Sequence, residues 1–266
     1  MIGDYIKDSY NYIKNNFSKF LIGGILSLIS GIFLGVMTFF ISYLGNLYDI
    51  SRVVFLIPIF IIMFIILLTI IFIISGYYVR VMKNTVENKE APDWDNIWEL
   101  FVSGLLYTVG MLILSIIFLI IPFIIILMAI LFININTKLS VLTIILGLLL
   151  FIPFILCLTL YQPLASVNFS VNGFFGFFEF RKIFKLMSLK YVLLLIVVFI
   201  ISFIVNLIIS IPFIILKIVF LIANSDISFM IADILESTVS LFVSFFLGIF
   251  SYRCYSLYYK DKIGER

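Results

Sequence analysis

The residues that could perform chemistry are few, and they lie inside or beside long apolar segments. Asn206 lies within one such segment, Lys217 lies near its end, and Asp226, Asp233 and Glu236 follow it. Polar residues inside a membrane are costly and often functional, but an intramembrane asparagine more commonly hydrogen-bonds to a neighbouring helix. A lysine near a helix end can extend its amine to the membrane surface. The three carboxylates could bind a hard cation, although their spacing is also typical of a solvated helix start.

The sequence lacks the residues that most enzymes and metal sites use. It has no histidine, which is the commonest general base and metal ligand. Its two cysteines, Cys157 and Cys254, lie in or beside apolar segments, so they predict neither a disulfide framework nor a zinc site. No phosphate-binding glycine loop, nucleophile elbow or metalloprotease motif is present. We therefore expect no catalytic, metal or cofactor-binding residues, and we expect that the protein is not an enzyme.

The composition indicates a membrane protein. The chain of 266 residues is 64% hydrophobic and only 12% charged, with a mean hydropathy of +1.31. Soluble proteins are about half apolar and about a quarter charged, so most of this chain must face lipid. This excludes a secreted disulfide scaffold, a nucleic-acid-binding domain and an ordinary cytosolic enzyme.

Six segments are long and apolar enough to cross a bilayer as helices, which requires about 20 residues. They do not alternate between polar and apolar residues as the strands of a membrane barrel would. The sequence therefore predicts an all-α integral membrane protein with six transmembrane helices in a single domain, residues 1–266. The segments are residues 20–44, 53–79, 105–133, 141–161, 191–222 and 238–258.

The basic residues predict the orientation. Fourteen of the seventeen lysines and arginines lie in the termini and in alternate polar segments, and only Arg52, Lys138 and Lys217 lie on the other side. Short segments rich in lysine and arginine stay in the cytoplasm. We therefore expect a multi-pass protein of the cell membrane with both termini in the cytoplasm.

The chain resembles itself at a spacing of about one third of its length. The pentapeptide Ile-Pro-Phe-Ile-Ile occurs at 121–125 and again at 211–215, and residues 93–101 align with 179–187. The even-numbered spans also end alike, at Tyr77, Tyr161 and Tyr252. This pattern predicts three repeat units, about 1–80, 81–165 and 166–260, each a cytoplasmic interfacial amphipathic helix followed by a transmembrane hairpin. The alternative is a chance match between segments rich in isoleucine and phenylalanine.

The segment before each hairpin has an apolar and a polar face at helical spacing. The second segment is acidic and the third is basic, so the third is suited to anionic lipid headgroups. The alternative is that these helices only anchor the hairpins. The candidate interfacial and lipid-contacting residues are Trp94, Trp98, Arg181, Lys182 and Lys185. The expected apolar faces are Ile6, Tyr10, Ile13 and Phe17, then Trp94, Ile97, Trp98, Phe101 and Leu105, then Phe177, Phe180, Phe184, Met187 and Tyr191.

Small residues recur every four positions in the first and sixth spans. Such stripes let two helix backbones approach closely. We therefore expect these two spans to contact each other or a second copy of the protein; a substrate path along them is the less favoured interpretation. The stripes are Gly23, Ser27, Gly31 and Gly35 in the first span, and Ser240, Ser244 and Gly248 in the sixth.

Two blocks of residues carry a resemblance to a known family. The first runs from Gly-Tyr-Tyr-Val-Arg at 76–80 through Ala-Pro-Asp-Trp-Asp at 91–95 to Gly104-Leu105, and the second runs from Asn168-Phe169 to Ile183. They resemble the uncharacterised, mainly archaeal membrane family called domain of unknown function 4013. The resemblance implies a multi-pass membrane protein and transfers no functional residues. More distantly, the chain resembles the membrane part of glycerophosphodiester phosphodiesterases, which implies association with lipid.

Three functions are compatible with these features. The first is a non-enzymatic protein that organises the membrane or interacts with lipid through its interfacial helices. The alternative is a transporter or channel for a small or amphiphilic solute, with kinks at Pro122, Pro153 and Pro212. An intramembrane enzyme is disfavoured because histidine and central acids are missing. The expected partners are the lipid bilayer and either a second copy or another membrane protein, with no nucleic acid and no cofactor.

Overall fold

The computed structural model of the protein describes residues 2–45, 50–133, 135–223 and 225–264. Within these ranges the chain is almost entirely helical and contains no strand. The helices are α1 Ile2–Asn15, α2 Phe17–Gly45, α3 Ile50–Val86, α4 Ile97–Phe132, α5 Thr137–Asn172, a short 3-10 helix Phe174–Phe178, α6 Phe180–Leu186, α7 Leu189–Ile222 and α8 Asp226–Gly264.

Six of the described helices, α2, α3, α4, α5, α7 and α8, are long and apolar enough to cross a membrane. The prediction of an all-α protein with six membrane-spanning helices is confirmed. Several helices continue beyond the apolar segments that predicted them. The 39 residues of α8 extend roughly 58 Å, whereas the hydrocarbon core is about 30 Å thick. The helix is therefore roughly twice as long as the hydrocarbon core is thick.

The chain's last helix, α8, is the centre of the bundle. It packs against α1, α2, α3, α5 and α7, while α3 packs against α2, α4 and α5. The two helices of each predicted hairpin contact each other, but α2 packs more extensively against α8 than against α3. The first and last spans therefore close the bundle.

The first amphipathic helix, α1, presents a different face to the protein than its hydrophobic pattern predicts. Tyr5, Ser9 and Tyr12 are buried, whereas Tyr10, expected on the apolar face, is 62% exposed. The Tyr5 hydroxyl donates to Asp261 at 2.7 Å and accepts from Lys190 at 2.8 Å. Because these hydrogen bonds pair α1 with distant parts of the chain, they override the local pattern.

The second repeat unit does not begin with a separate amphipathic helix, and that part of the prediction is wrong. Residues 89–96 are not helical, and α4 begins only at Ile97. Pro92 cannot donate a backbone hydrogen bond, and Asn88 and Asn96 adopt left-handed backbone conformations, with φ of 58° and 48°. A helix cannot continue through these residues. In the third unit the 3-10 helix and α6 occupy the corresponding place.

Candidate functional site

The polar segments of the chain meet at one end of the bundle. Lys19 forms an ion pair with Asp93 at 2.8 Å, and Arg253 at the end of α8 forms one with Asp8 of α1 at 2.9 Å. The Tyr259 hydroxyl in the last turns of α8 donates to Asn168 near the end of α5. We call this end, formed by α1, residues 87–96, α6 and the last turns of α8, the basic end.

Trp94 anchors the loop of residues 87–96 to the end of α3. Its ring stacks on Tyr77 with a centroid distance of 3.8 Å and an interplanar angle of 5°. Its indole N–H donates to the Lys19 carbonyl at 2.8 Å, and the Tyr77 hydroxyl donates to the Pro92 carbonyl at 2.9 Å. An indole with a satisfied N–H and a stacked ring is well suited to hold a loop. Trp94 was proposed from the sequence as an interfacial residue. Much of its surface contacts other residues of the protein.

The acidic residues of this loop are paired with basic residues. Arg80, with a side chain only 17% exposed, donates to the Asp95 carboxylate and, at 3.3 Å, to Glu99. It also donates to the backbone carbonyls of Asp93 and Asp95, each at 3.1 Å. The negative charge that distinguished the second segment in the sequence is therefore largely balanced by ion pairs with basic residues of the same chain.

A similar anchor holds the segment after the fourth span. The Tyr161 hydroxyl donates to the Phe177 carbonyl at 2.8 Å, and the Phe180 ring stacks on Tyr161 at 5.2 Å. Tyr161 and Phe180 therefore correspond to Tyr77 and Trp94, as the alignment of residues 93–101 with 179–187 requires. The threefold repeat stays a prediction. The contact between Tyr77 and Trp94 at the start of its second unit corresponds to the contact between Tyr161 and Phe180 at the start of its third unit.

The second tryptophan has a different environment. Trp98 is 72% exposed, and within the described ranges its ring stacks only on Phe101 of its own helix, with a centroid distance of 5.5 Å. An exposed aromatic ring at a helix start suits the interface between headgroups and acyl chains.

The two tryptophans are expected to differ in their effect on stability. Trp94→Ala should lower the free energy of unfolding by about 2 kcal/mol, because it removes a stacked, half-buried ring. Trp98→Ala, the matched control, should change it by less than about 0.5 kcal/mol. Unfolding of the purified chain by SDS in mixed micelles would measure both values. Equal losses for the two variants would contradict the assigned role of Trp94.

The three basic candidates of the third segment line one open groove. Arg181, Lys182 and Lys185 share it with Phe178, Glu179 and Phe180, and its volume is about 620 Å³. Lys182 pairs with Glu179 at 3.1 Å. Arg181 and Lys185 are exposed, and neither has a hydrogen-bond or ion-pair partner among the residues that the structure describes. We call this the α6 groove.

Large exposed apolar side chains occur in the same stretch of chain as the α6 groove. Phe175 is 80% exposed, Leu189 is 77% exposed, and Phe184 is half exposed. Phe175 precedes the groove residues in sequence, Phe184 is part of α6, and Leu189 begins α7. Exposed cations and exposed apolar residues are therefore close in sequence in the segment between α5 and α7.

A buried asparagine that sequence reasoning did not nominate holds Glu179 of the α6 groove in place. Asn168 is fully buried, and its side-chain amide donates to the Gly176 carbonyl at 2.7 Å and to Glu179 at 2.9 Å. Its oxygen accepts from Asn172 at 2.7 Å and from the Tyr259 hydroxyl. The hydrogen bond from Asn168, together with Lys182, lowers the pKa of the Glu179 carboxyl, although partial burial opposes this shift. In the sequence, Asn168 was visible only as part of the second resemblance block.

The two resemblance blocks meet in a second, more enclosed cavity of about 200 Å³. Gly76, Arg80 and Lys83 of α3 line it from one side, and Ser170 and Gly173 at the end of α5 line it from the other. The blocks are far apart in sequence, so their shared cavity is a property of the fold.

The small-residue stripe of the first span lies against α8. A side chain at Gly31 would meet the Thr238 backbone at 2.5 Å, and one at Gly35 would meet Ile234. Gly23 lies against Phe245, and Ser27 is buried. In the other stripe, Ser240 and Ser244 are half-buried, and Gly248 lies against Tyr78 of α3 instead of α2. The first span therefore packs on the aromatic side of α8, and the two stripes do not form one matched seam.

The intramembrane polar residues form other contacts than the sequence suggested. Asn206 donates to the Ser202 carbonyl of its own helix at 2.8 Å, so the expected hydrogen bond across helices is not the one observed. Lys217 pairs with Asp233 and with Glu236, each at 2.5 Å, instead of reaching alone to the membrane surface. A paired lysine costs less in an apolar environment than a lone one. The side chain of Asp226 lies outside the described part of the chain.

Comparisons with known proteins identify the family of this chain. The model of the family described as "Protein of unknown function (DUF4013)" matches residues 59–214. Two uncharacterized proteins of Methanocaldococcus jannaschii are similar over nearly their whole length. MJ1189 is 38% identical over 98% of this chain and 97% of its own length, and MJ0233 is 43% identical over 99% and 98%. No solved structure matches the chain significantly. The match includes both resemblance blocks, so this six-span chain belongs to the DUF4013 family of proteins of unknown function.

Proposed function

We propose that the protein is a non-enzymatic membrane protein that binds anionic lipid headgroups at its basic end and thereby organises the lipid around it. The observation that carries this proposal is the α6 groove, in which Arg181 and Lys185 are exposed, in a segment of the chain that also exposes Phe175 and Leu189. The absence of histidine from the sequence favours binding over catalysis.

Charge and depth both support this function. Each lysine or arginine near an anionic leaflet contributes about 1 kcal/mol of attraction. An arginine guanidinium can in addition donate two parallel hydrogen bonds to a phosphate. The α6 groove lies between the end of α5 and the start of α7, and we expect lipid headgroups at the level where these two spans end. Exposed aromatic and aliphatic side chains at that depth can insert between acyl chains.

The proposal includes a location and an orientation. We infer that the protein resides in the cell membrane with its basic end in the cytoplasm, because short basic segments are retained on that side. The cytoplasmic leaflet also carries the anionic lipids that the α6 groove would bind. Lipid is thus the proposed partner.

Neutralisation of the free cations is expected to weaken lipid binding. The double variant Arg181→Gln and Lys185→Gln should bind phosphatidylserine about thirtyfold more weakly than the original protein, since it loses two attractive charges of about 1 kcal/mol each. Titration of the purified full-length chain in neutral detergent micelles, followed by native mass spectrometry, would give the apparent Kd. Lys182 is retained in this variant because it pairs with Glu179.

The matched control carries the same charge change elsewhere at the basic end. Lys7 and Lys14 are exposed on α1, so the variant Lys7→Gln and Lys14→Gln tests unspecific attraction. We expect it to bind phosphatidylserine less than threefold more weakly. If both double variants lose affinity equally, or if the original protein binds phosphatidylserine no better than phosphatidylcholine, the proposed function is wrong.

A further inference from the structure

We propose that the α6 groove selects phosphates esterified to a polyol, such as the headgroups of phosphatidylinositol and phosphatidylglycerol, over other anionic headgroups. This inference rests on the proposed function and names the class of ligand that the groove would take. Arg181 and Lys185 would bind the phosphate, and Glu179 would accept hydrogen bonds from the polyol hydroxyls.

The observation behind this inference is a carboxylate among cations. A groove that only attracts anions would be weakened by an acid, yet Glu179 lies beside Arg181, Lys182 and Lys185. One oxygen of Glu179, Oε2, accepts from Asn168 at 2.9 Å and from Lys182 at 3.1 Å. Within the described ranges, no hydrogen bond or ion pair reaches the other oxygen, Oε1. This oxygen is therefore a vacant acceptor on the groove wall.

Glu179 is held so that it acts only as an acceptor. The hydrogen bond from the buried Asn168 fixes its position and lowers the pKa of its carboxyl, so it is ionised at neutral pH. An ionised carboxylate accepts hydrogen bonds but cannot donate one. It therefore favours hydroxyl groups and repels a second phosphate or a ligand carboxylate.

The charges around Glu179 and the size of the groove further restrict the class of ligand that can bind. A ligand ammonium group would also bind a carboxylate, but the three surrounding cations repel it. A neutral hydroxyl experiences no such repulsion. The groove volume of about 620 Å³ exceeds what a bare phosphate needs and lies within the usual range for small-molecule sites. A phosphate that carries a polyol satisfies all of these conditions.

The test compares two lipids of equal net charge. We expect the purified full-length chain in neutral detergent micelles to bind phosphatidylinositol about tenfold more tightly than phosphatidylserine in native mass spectrometry. In Glu179→Gln the amide oxygen can still accept from Asn168, but an N–H donor replaces the vacant acceptor. This variant should bind phosphatidylserine more tightly than the original protein does, and its preference for phosphatidylinositol should fall to less than about twofold.

Two controls make the result specific. Glu87 is an acid at the same end that pairs with Lys89 at 2.6 Å and does not line the groove. Glu87→Gln removes the same charge and should leave the ratio of the two affinities unchanged. A thermal unfolding curve of Glu179→Gln in the same micelles would establish that its fold is intact. Competition with soluble inositol 1-phosphate distinguishes a free polyol phosphate, which would displace the lipid, from a lipid headgroup that binds only within a membrane.

The outcomes separate this inference from the proposed function. If phosphatidylinositol and phosphatidylserine bind equally well, and both bind better than phosphatidylcholine, the selectivity is wrong and the proposed function stands. If neither anionic lipid binds better than phosphatidylcholine, both are wrong. If Glu179→Gln keeps the preference of the original protein, the role assigned to Glu179 is overturned.

Discussion

Replacement of Gly104 by alanine is expected to lower the free energy of unfolding by about 3 kcal/mol. Gly104 of α4 lies directly against the backbone of α3, and a methyl group at this position would overlap the Phe72 carbonyl oxygen. The contact is reciprocal, because a methyl group on Gly76 of α3 would overlap the Leu100 carbonyl oxygen. Neither obstacle is a side chain that could rotate away, so the two helices would have to separate.

The measurement is SDS-induced unfolding of the purified chain, and Gly3→Ala is the matched control. Gly3 is also helical, but a methyl group added there meets no atom within 4 Å. Alanine has the higher helix propensity, so this control should be neutral or more stable by up to about 1 kcal/mol. Equal effects of Gly104→Ala and Gly3→Ala would refute the close crossing of α3 and α4.

Asn168→Ala is expected to lower the free energy of unfolding by a similar amount, about 3 kcal/mol. The substitution removes the side chain that donates to the buried Gly176 carbonyl and accepts from the Tyr259 hydroxyl. It also releases Glu179 from the hydrogen bond that fixes it. Unsatisfied polar groups are costly where water cannot replace the lost partner. The corner between α5 and α6 should therefore open, and affinity for anionic lipid should change with it.

The control for Asn168→Ala is the same substitution at Asn206, which is half-buried and, among the residues that the structure describes, hydrogen-bonds only within its own helix. We expect Asn206→Ala to change the free energy of unfolding by less than about 1 kcal/mol. The same SDS titration applies to both. A small effect at Asn168, or a larger one at Asn206, would mean that the buried network does not hold the corner.

The charged residues illustrate what sequence reasoning could and could not predict. The separation of basic residues along the chain identified the segments that meet at the basic end, because charge is excluded from lipid whatever the fold. The sequence did not indicate which acidic and basic residues form ion pairs with each other. The Arg80 contacts with Asp95 and Glu99 require the loop of residues 87–96 to fold back, and no periodic pattern in the sequence indicates this fold.

The residues of the candidate site also divide into those that the sequence indicated and those that it did not. Arg181 and Lys185 were nominated together as lipid-contacting residues, because a short basic segment is recognisable in the sequence. They line one groove, and their contact with lipid stays a prediction. Asn168 was missed because its importance depends on four partners, one of which, Tyr259, is 91 residues away. Trp94 and Trp98 looked equivalent on one helical face, yet one is an anchor and the other is exposed.

The sequence by itself determined that this is an all-helical protein with six spans and that its basic residues gather at alternate segments. Both properties follow from the composition of each segment alone, since the cost of transferring a segment into lipid depends on its own residues. Only the tertiary structure decided which face of α1 is buried, where α3 and α4 cross, and how Asn168 comes to bind Tyr259. These features depend on partners far away in the chain, as in the hydrogen bond between Tyr5 and Asp261, and no local pattern contains them.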